Sequence, residues 1–218
     1  MCLSIMVEVF GDYAAFNRPE LKTERVTYDA ITPSAARGIL EAIMWHPGMR
    51  WHIDKIYVLS PIEHANIRRN EVKSKISARN VRSAMNGKKS ELFIDARADI
   101  QQRAAIVLKN VHYVLEAHFD MTPNASPTDT PAKFQEMMKR RLSKGQCYHQ
   151  PYFGCREFPA KFRQWEFDYV PTAYQNETKE LGLMLYDMDY STDEITPMFF
   201  NAVLKNGVID LTDCEVYR

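Results

Sequence analysis

The segment ITPSAARGILEAIMWHPGMRWHIDKIYVLSPI, residues 31–62, predicts a helix that is followed directly by a strand. Thr32 is a favourable N-cap, and Pro33 suits the first helical position. Apolar residues at helical spacing predict a helix over 33–45 whose buried face carries Ala36, Ile39, Leu40 and Ile43. Pro47 and Gly48 then end the helix, and the apolar residues of 51–62 predict a strand.

Similar units lie on both sides of this segment. Residues 4–10 alternate as a strand that Gly11 and Asp12 are expected to break, and 104–121 predict a long strand. A helix over 131–144 ends at Gly145. Further strands are predicted at 152–158, 163–170, 181–186 and 199–208, with a hairpin turn at Asn206-Gly207.

The order of these elements predicts an α+β fold. Strand, helix, strand, strand, helix and strand in succession is typical of a ferredoxin-like (RRM-like) domain, which we place at residues 1–150. The polar residues 63–103 form a basic insertion, either a long loop, a β-hairpin or both. Residues 151–218 are expected to form a small β-rich C-terminal portion.

Composition excludes several classes of protein. No apolar run approaches the length of a membrane helix, and the N-terminus lacks the pattern of a signal peptide, so we expect a cytoplasmic protein without membrane contact. Cys147, His149 and Cys155 do not match a common zinc spacing, and no glycine-rich phosphate loop occurs. We therefore expect neither a metal nor a cofactor.

The net charge of zero conceals a strong charge separation. Residues 63–109 hold eleven basic and five acidic side chains, and residues 131–163 hold eight and two, so each segment carries +6. Residues 164–218 hold three basic and eleven acidic side chains and carry −8. Basic surfaces of this kind indicate an anionic partner, the alternative being solvated faces that merely differ in sign.

Four sequence blocks together resemble one known family. They are VEVFGDYAAF, the helix ITPSAARGILEAIMWHP with the following RWHIDKIYVLSPI, the strand LKNVHYVLEAHF, and KRRLSKGQCYHQPYFGCREFPA. In this order they resemble the type I-C CRISPR pre-crRNA-processing endoribonucleases, the fifth Cas protein family in its d (or c) subtype, of the RAMP superfamily. The resemblance implies metal-independent cleavage of CRISPR repeat RNA. It also implies that the protein stays bound to the product within an interference complex on DNA.

The resemblance transfers the family's active site only in part. The family has a tyrosine before the tryptophan that closes the first helix, and here Met44 precedes Trp45. In one member of the family a lysine-histidine pair opens the later helix, and here the pair is Lys133-Phe134. Lys133 is therefore the candidate for stabilising charge on the phosphate, and His46 and His149 are candidates for general acid/base catalysis. His112 and His118 are predicted to share one strand face as core or supporting residues.

Basic side chains of the insertion and of the later helix are the candidates for binding RNA phosphates. They are Arg68, Arg69, Lys88, Lys89, Lys139, Arg140, Arg141 and Lys144. The expected partners are CRISPR repeat RNA and the other subunits of a type I-C complex. Two alternatives stay open at this point: a non-catalytic RNA-binding scaffold subunit, and a non-specific binder of duplex DNA.

Overall fold

The structure, a computed structural model, describes residues 4–21, 23–88, 92–191 and 193–218. These residues form a mixed α/β fold with one large sheet and few helices. Its helices are α1 (Pro33–Ile43), α2 (Ala78–Met85) and α3 (Pro131–Lys144). Its strands are β1 (Ile5–Ala14), β2 (Arg25–Val26), β3 (Met49–Val58), β4 (His64–Val72), β5 (Ile100–Met121), β6 (Lys161–Gln164), β7 (Thr178–Asp189), β8 (Thr196–Lys205), β9 (Val208–Asp210) and β10 (Val216–Tyr217). None of the described helices is long and apolar enough to cross a membrane.

The 22-residue strand β5 is the centre of the sheet. Its C-terminal half pairs with β3 on one side and with β1 on the other, while its N-terminal half pairs with β4, all antiparallel. The main strand order is β10-β8-β9-β3-β5-β1-β6. Strand β9 pairs with β3, so the C-terminal strands are hydrogen-bonded into the same sheet as the N-terminal ones.

Alternation along the strands separates the two faces of this sheet. Val7 and Val9 of β1 are buried on the face that α1 and α3 cover, and they share one core cluster with Phe134 and Met138 of α3. Glu8 points to the opposite face, where its side chain is nevertheless buried against Arg163 of β6. The helices therefore cover one face, and charged and aromatic side chains occupy the other.

The ends of the two covering helices follow from their caps. Thr32 and Thr130 each accept a backbone N–H in the first turn, and Gly145 ends α3 with φ of 62°, as predicted. Helix α1 ends two residues earlier than expected, at Ile43. Trp45, an apolar residue that is more often found in a core than on a surface, follows this end and is 62% exposed.

The insertion is a β-hairpin with a helix near its tip. Strand β4 pairs with β5 from His64↔Leu108 to Val72↔Ile100, which supports the hairpin among the alternatives for residues 63–103. Helix α2 lies between these strands in sequence, and none of its residues is buried. The hairpin therefore extends from the sheet without a core of its own beyond the first pairs.

Three strand predictions are wrong in their bounds. Residues 152–158 form turns with a single bridge, Tyr152↔Pro159, and the expected strand over 163–170 exists only as β6. Gly11 does not end β1, which continues to Ala14 because it stays paired with β5. Turns replace the strand at 152–158 because Gly154 adopts φ of 77° while Phe153 is wholly buried.

Replacing Gly154 with alanine should destabilise the protein strongly. A Cβ atom there would lie 2.0 Å from the carbonyl oxygen of Ala15, and the left-handed backbone adds further strain. We expect a loss of about 2 kcal/mol or more in the free energy of unfolding, measured by urea denaturation. The matched control is Gly38→Ala in α1, where nothing lies within 4 Å, and it should be neutral or stabilising by up to about 1 kcal/mol. Equal losses in both variants would contradict this account.

Candidate active site

The first turn of α3 holds Lys133 against an acidic side chain. The Lys133 ammonium donates to Asp129 Oδ1 at 2.8 Å, and the Asp129 side chain is only 4% exposed. The backbone N–H of Ser126 donates to Asp129 Oδ2 at 2.9 Å, so both carboxylate oxygens are used. Lys133 is 46% exposed and stays accessible beside the positive end of the helix, where a phosphate is favoured.

His46 lies next to this pair. Its ring packs against the Phe134 ring with centroids 4.9 Å apart, and its Nδ1 atom is 4.0 Å from Asp129 Oδ2. The backbone N–H of Gly48 donates to the same Nδ1 atom at 3.0 Å. In neutral His46 the proton is therefore on Nε2, and within the described part of the chain no hydrogen bond from Nε2 is found.

The charge of this cluster is set chiefly by Lys133. The pKa of Asp129 is lowered from 3.8 to about 2, chiefly because the Lys133 ammonium donates to the carboxylate and secondly because the backbone N–H of Ser126 does so. Asp129 is thus ionised at every pH at which the protein functions. A carboxylate that stays charged holds the Lys133 ammonium in place, which is the pre-organisation that a phosphate-binding cation requires.

His149 lies near the end of α1 and is not part of the cluster around Asp129. The backbone N–H groups of Tyr148 and His149 both donate to the carbonyl of Ala42, near the end of α1. His149 is exposed and lines a pocket of about 270 Å³ together with Gly38 and Ala42. Within the described residues no hydrogen bond, ion pair or ring contact joins it to His46 or Lys133, so the structure brings together only two of the three candidates.

The two positions at which the chain differs from the expected family pattern are both filled by packing residues. Met44 is 1% exposed, and its carbonyl accepts the indole N–H of Trp51 at 2.9 Å. Phe134 is also 1% exposed and contacts the rings of His46 and Phe119. Neither side chain can transfer a proton, so any acid/base group at this end of α1 has to come from a neighbouring position.

The basic candidates divide into free and tied side chains. Arg69 pairs with Glu157 and lies over the ring of Phe158, and Arg141 donates to the carbonyl of Ile43. Lys139 pairs loosely with Glu136 at 3.5 Å. The remaining described members of the set are exposed, namely Arg68, Lys88, Arg140 and Lys144. Lys89 lies outside the described residues.

The histidines of β5 are not in the core. His112 and His118 do share a face, but it is the face away from the helices, and their side chains are 36% and 31% exposed. Each binds a carboxylate at 2.7 Å, Glu8 for His112 and Asp54 for His118. Arg163 also binds Glu8 and, despite the opposing effect of burial, lowers the pKa of that carboxyl group.

Asp129 is the member of this candidate site that sequence reasoning missed. The available signal was an acidic residue four positions before Lys133 and directly before the capping Thr130, the spacing at which side chains meet on a helix. No cluster of three or more histidine, cysteine or acidic residues suited to a metal occurs among the described residues. Cys147, Cys155 and Cys214 are free thiols.

Comparison with known proteins finds one family whose members match nearly the whole chain. The family profile for the CRISPR-associated protein Cas_Cas5, in its Cas5d form, matches residues 4–212. A protein of Mannheimia succiniciproducens named CRISPR pre-crRNA endoribonuclease Cas5d is 51% identical over 216 residues, which cover 97% of this chain and 96% of the relative. A protein of Thermus thermophilus with the same name is 39% identical, covering 95% of this chain and 90% of the relative.

Solved structures share the fold. A crystal structure of a CRISPR-associated protein superposes with a TM-score of 0.71 at 21% identity, covering 100% of this chain and 97% of the other. The functionally uncharacterized SMU1763c of Streptococcus mutans gives 0.70 at 20% identity, with 100% and 98% covered. A chain of a CRISPR RNA-guided surveillance complex gives 0.53 at 11% identity, with 95% and 91% covered. These likenesses concern the fold alone.

The ionisation of Asp129 should respond to Lys133 and not to other lysines of α3. The folded-state pKa lies below the ordinary 3.8, so the carboxylate contributes stability above pH 3.8 and loses it as pH falls through about 2. A carboxyl carbon NMR titration of Lys133→Met should show the Asp129 pKa moving back toward 3.8. The control, Lys139→Met, should leave it unchanged. A pKa unaffected by Lys133→Met would contradict the described pair.

Proposed function

Because the chain belongs to the Cas5d family of CRISPR-associated proteins, we propose that it is an endoribonuclease that cuts CRISPR repeat RNA. It then stays bound to the product as a subunit of an interference complex. The observation that carries the proposal is the 51% identity to a pre-crRNA endoribonuclease over nearly the whole chain. In this proposal Lys133 and His46, which both lie beside Asp129, supply the groups that act in RNA cleavage.

The proposed reaction uses a hydroxyl group of the RNA itself. The 2′-oxygen attacks the adjacent phosphorus and loses its proton to a base, while the bond from phosphorus to the 5′-oxygen breaks. The leaving 5′-oxygen takes up a proton from an acid. We propose that Lys133 stabilises the extra negative charge on the phosphate, and that His46 in its protonated imidazolium form donates the proton from Nε2 and is left as the neutral ring. The products are a 2′,3′-cyclic phosphate and a 5′-hydroxyl group.

Several finer statements remain proposals. The strand order β3-β5-β1-β6, with α1 following β1 and α3 following β5 on one face, supports a ferredoxin-like arrangement whose fourth strand, β6, lies beyond residue 150. A boundary near residue 150 and a small β-rich C-terminal portion over residues 151–218 stay predictions, as does a cytoplasmic location. His149 stays a candidate catalytic residue only if RNA bridges the distance from the α1 pocket to Lys133.

A non-catalytic RNA-binding scaffold is the second candidate function. The observation that favours it is the burial of Met44 and Phe134, since neither position offers a titratable group. A scaffold would keep the exposed basic side chains and bind the repeat without cutting it. Competition between repeat RNA and duplex DNA tests the third possibility, a non-specific DNA binder.

Lys133→Ala should slow repeat cleavage at least about tenfold under single-turnover conditions, with little loss of binding. The reason is that the lysine stabilises charge that develops in the transition state. Asp129→Asn should slow cleavage in the same direction by releasing the ammonium from its anchor. Lys205→Ala, an exposed lysine on β8, is the matched control and should cut normally. Unchanged cleavage by Lys133→Ala would remove this residue from the site.

Arg140 and Arg141 provide a matched pair for the binding surface. Arg140→Gln should reduce the slope of log affinity against log salt by about 0.7–0.9, as expected for one lost phosphate contact. Arg141→Gln should instead lower the stability of the fold, because its guanidinium holds the carbonyl of Ile43. Identical effects of the two changes on the salt slope would show that the distinction between free and tied arginines is wrong.

Replacing the ribose before the scissile bond with 2′-deoxyribose should abolish cutting and preserve binding, because the nucleophile is removed and the phosphates remain. Cleavage of normal RNA should persist in excess chelator and leave a 2′,3′-cyclic phosphate, identified by mass spectrometry of the fragments. Cutting of the deoxy substrate, or rescue of a chelated reaction by magnesium, would overturn the mechanism. Binding without cutting of either RNA would favour the scaffold.

A further inference from the structure

An aromatic groove lies at the edge of the sheet formed by β6. It has a volume of about 400 Å³ and separates the last turns of α3 from the residues that follow β6. Ser143 lines the side of α3, and Arg163, Trp165, Glu166 and Phe167 line the other side. None of these residues belongs to the cluster around Asp129, and we call the cavity the β6 groove.

The floor of the β6 groove offers a flat aromatic surface to solvent. The Phe167 side chain is 69% exposed. Its ring makes an edge-to-face contact with Trp165, with ring centroids 5.3 Å apart. The indole N–H of Trp165 is buried and has no hydrogen-bond partner within the described residues.

Positive charge borders the same groove. Ser143 follows Lys139 by four residues and Arg140 by three, so these basic side chains share its helix face. Arg140 has no ion-pair partner among the described residues, and Lys139 has only the loose contact with Glu136. Arg163 is 65% exposed although its guanidinium binds Glu8, and it lies over the ring of Phe10 with its carbon 5.7 Å from the centroid.

Exposed rings between cations are the combination that binds single-stranded nucleic acid, since bases stack on the rings and phosphates pair with the cations. A duplex cannot use the rings because its bases are already stacked on one another. Glu166 adds an acceptor that suits the amino group of a base edge. The groove is thus equipped for unpaired nucleotides and not for a helix of RNA or DNA.

We propose that the β6 groove binds an unpaired segment of the repeat RNA, with a base stacked on Phe167 and its phosphates at Arg140 and Lys139. This inference rests on the proposed function, because it assigns a subsite for the same RNA. Ser143 is ten residues beyond Lys133, or about 15 Å along α3. A strand whose scissile phosphate lies at Lys133 can therefore place nucleotides a few positions away in the groove.

The test compares two repeat RNAs, both made uncleavable by a single 2′-deoxyribose. One carries about six unpaired nucleotides on each side of the stem-loop, and the other is trimmed to the stem-loop. The wild-type protein should bind the flanked RNA more tightly. Phe167→Leu, which keeps an apolar side chain but removes the ring, should reduce the ratio of the two affinities by about fivefold or more.

Two control variants separate stacking from a change in the fold. Phe167→Tyr keeps an aromatic ring and should retain the wild-type ratio. Tyr190→Leu removes a ring that is 68% exposed at the end of β7, away from the groove, and it should also retain the ratio. A flank that contains 2-aminopurine should lose fluorescence on binding to the wild type and keep it on binding to Phe167→Leu, since stacking quenches the base.

Phe167→Leu with an unchanged ratio, or with equal weakening for both RNAs, would overturn the proposal. The same holds if Phe167→Leu affects only the assembly of the protein with other subunits. This outcome is distinguishable from failure of the proposed function, which is measured by cleavage of all-ribose RNA. If the wild-type protein binds the flank through Phe167 but never cuts the RNA, the subsite proposal holds and the proposed endoribonuclease function fails. If it cuts normally but shows no preference for the flanked RNA, only the subsite proposal fails.

Discussion

The antiparallel hydrogen bonding of β5 is the constraint on which the rest of the structure depends. This strand of 22 residues pairs antiparallel with β1, β3 and β4, and each pairing fixes which side chains point to which face. A shift of one residue would bring His112 and His118 into the core and expose Tyr113 and Leu115, both of which are buried. The register therefore determines the core and both functional faces at once.

The candidate active site is a consequence of how the helices cover this sheet. Helices α1 and α3 contact each other on one face, which brings the chain after the end of α1 to the beginning of α3. Phe134 packs between Phe119 and His46 and so links the sheet to the site. A side chain that looks like the loss of a catalytic group is therefore also the contact that orients His46 toward Asp129.

The positive charge that the surface can offer to a ligand depends on which basic side chains already bind an oxygen of the protein. Arg69, Arg141 and Arg163 each bind a protein oxygen, whereas Arg68 and Arg140 point to solvent. Only the second group can exchange counterions for phosphates without first losing an internal bond. The number of basic residues in a segment thus overstates how much of its charge is available to nucleic acid. A protein with a net charge of zero can nevertheless present strongly basic surfaces.

The sequence by itself determined the helix caps, the hairpin turn at Asn206-Gly207, the long strand and the presence of Lys133 at the first turn of α3, because these depend on local spacing and conformational preference. The family could also be identified from four sequence blocks that occur in the same order as in the family. The tertiary structure alone decided that Trp45 is exposed, that residues 152–158 turn about Gly154, and that Asp129 joins Lys133 to His46. The physical reason is that the approach of His46 to Asp129 and the packing of Gly154 against Ala15 join residues far apart in the chain, whereas only the Asp129–Lys133 pair is local. A local pattern carries no information about which distant group will complete a cavity, a bond or a charge pair.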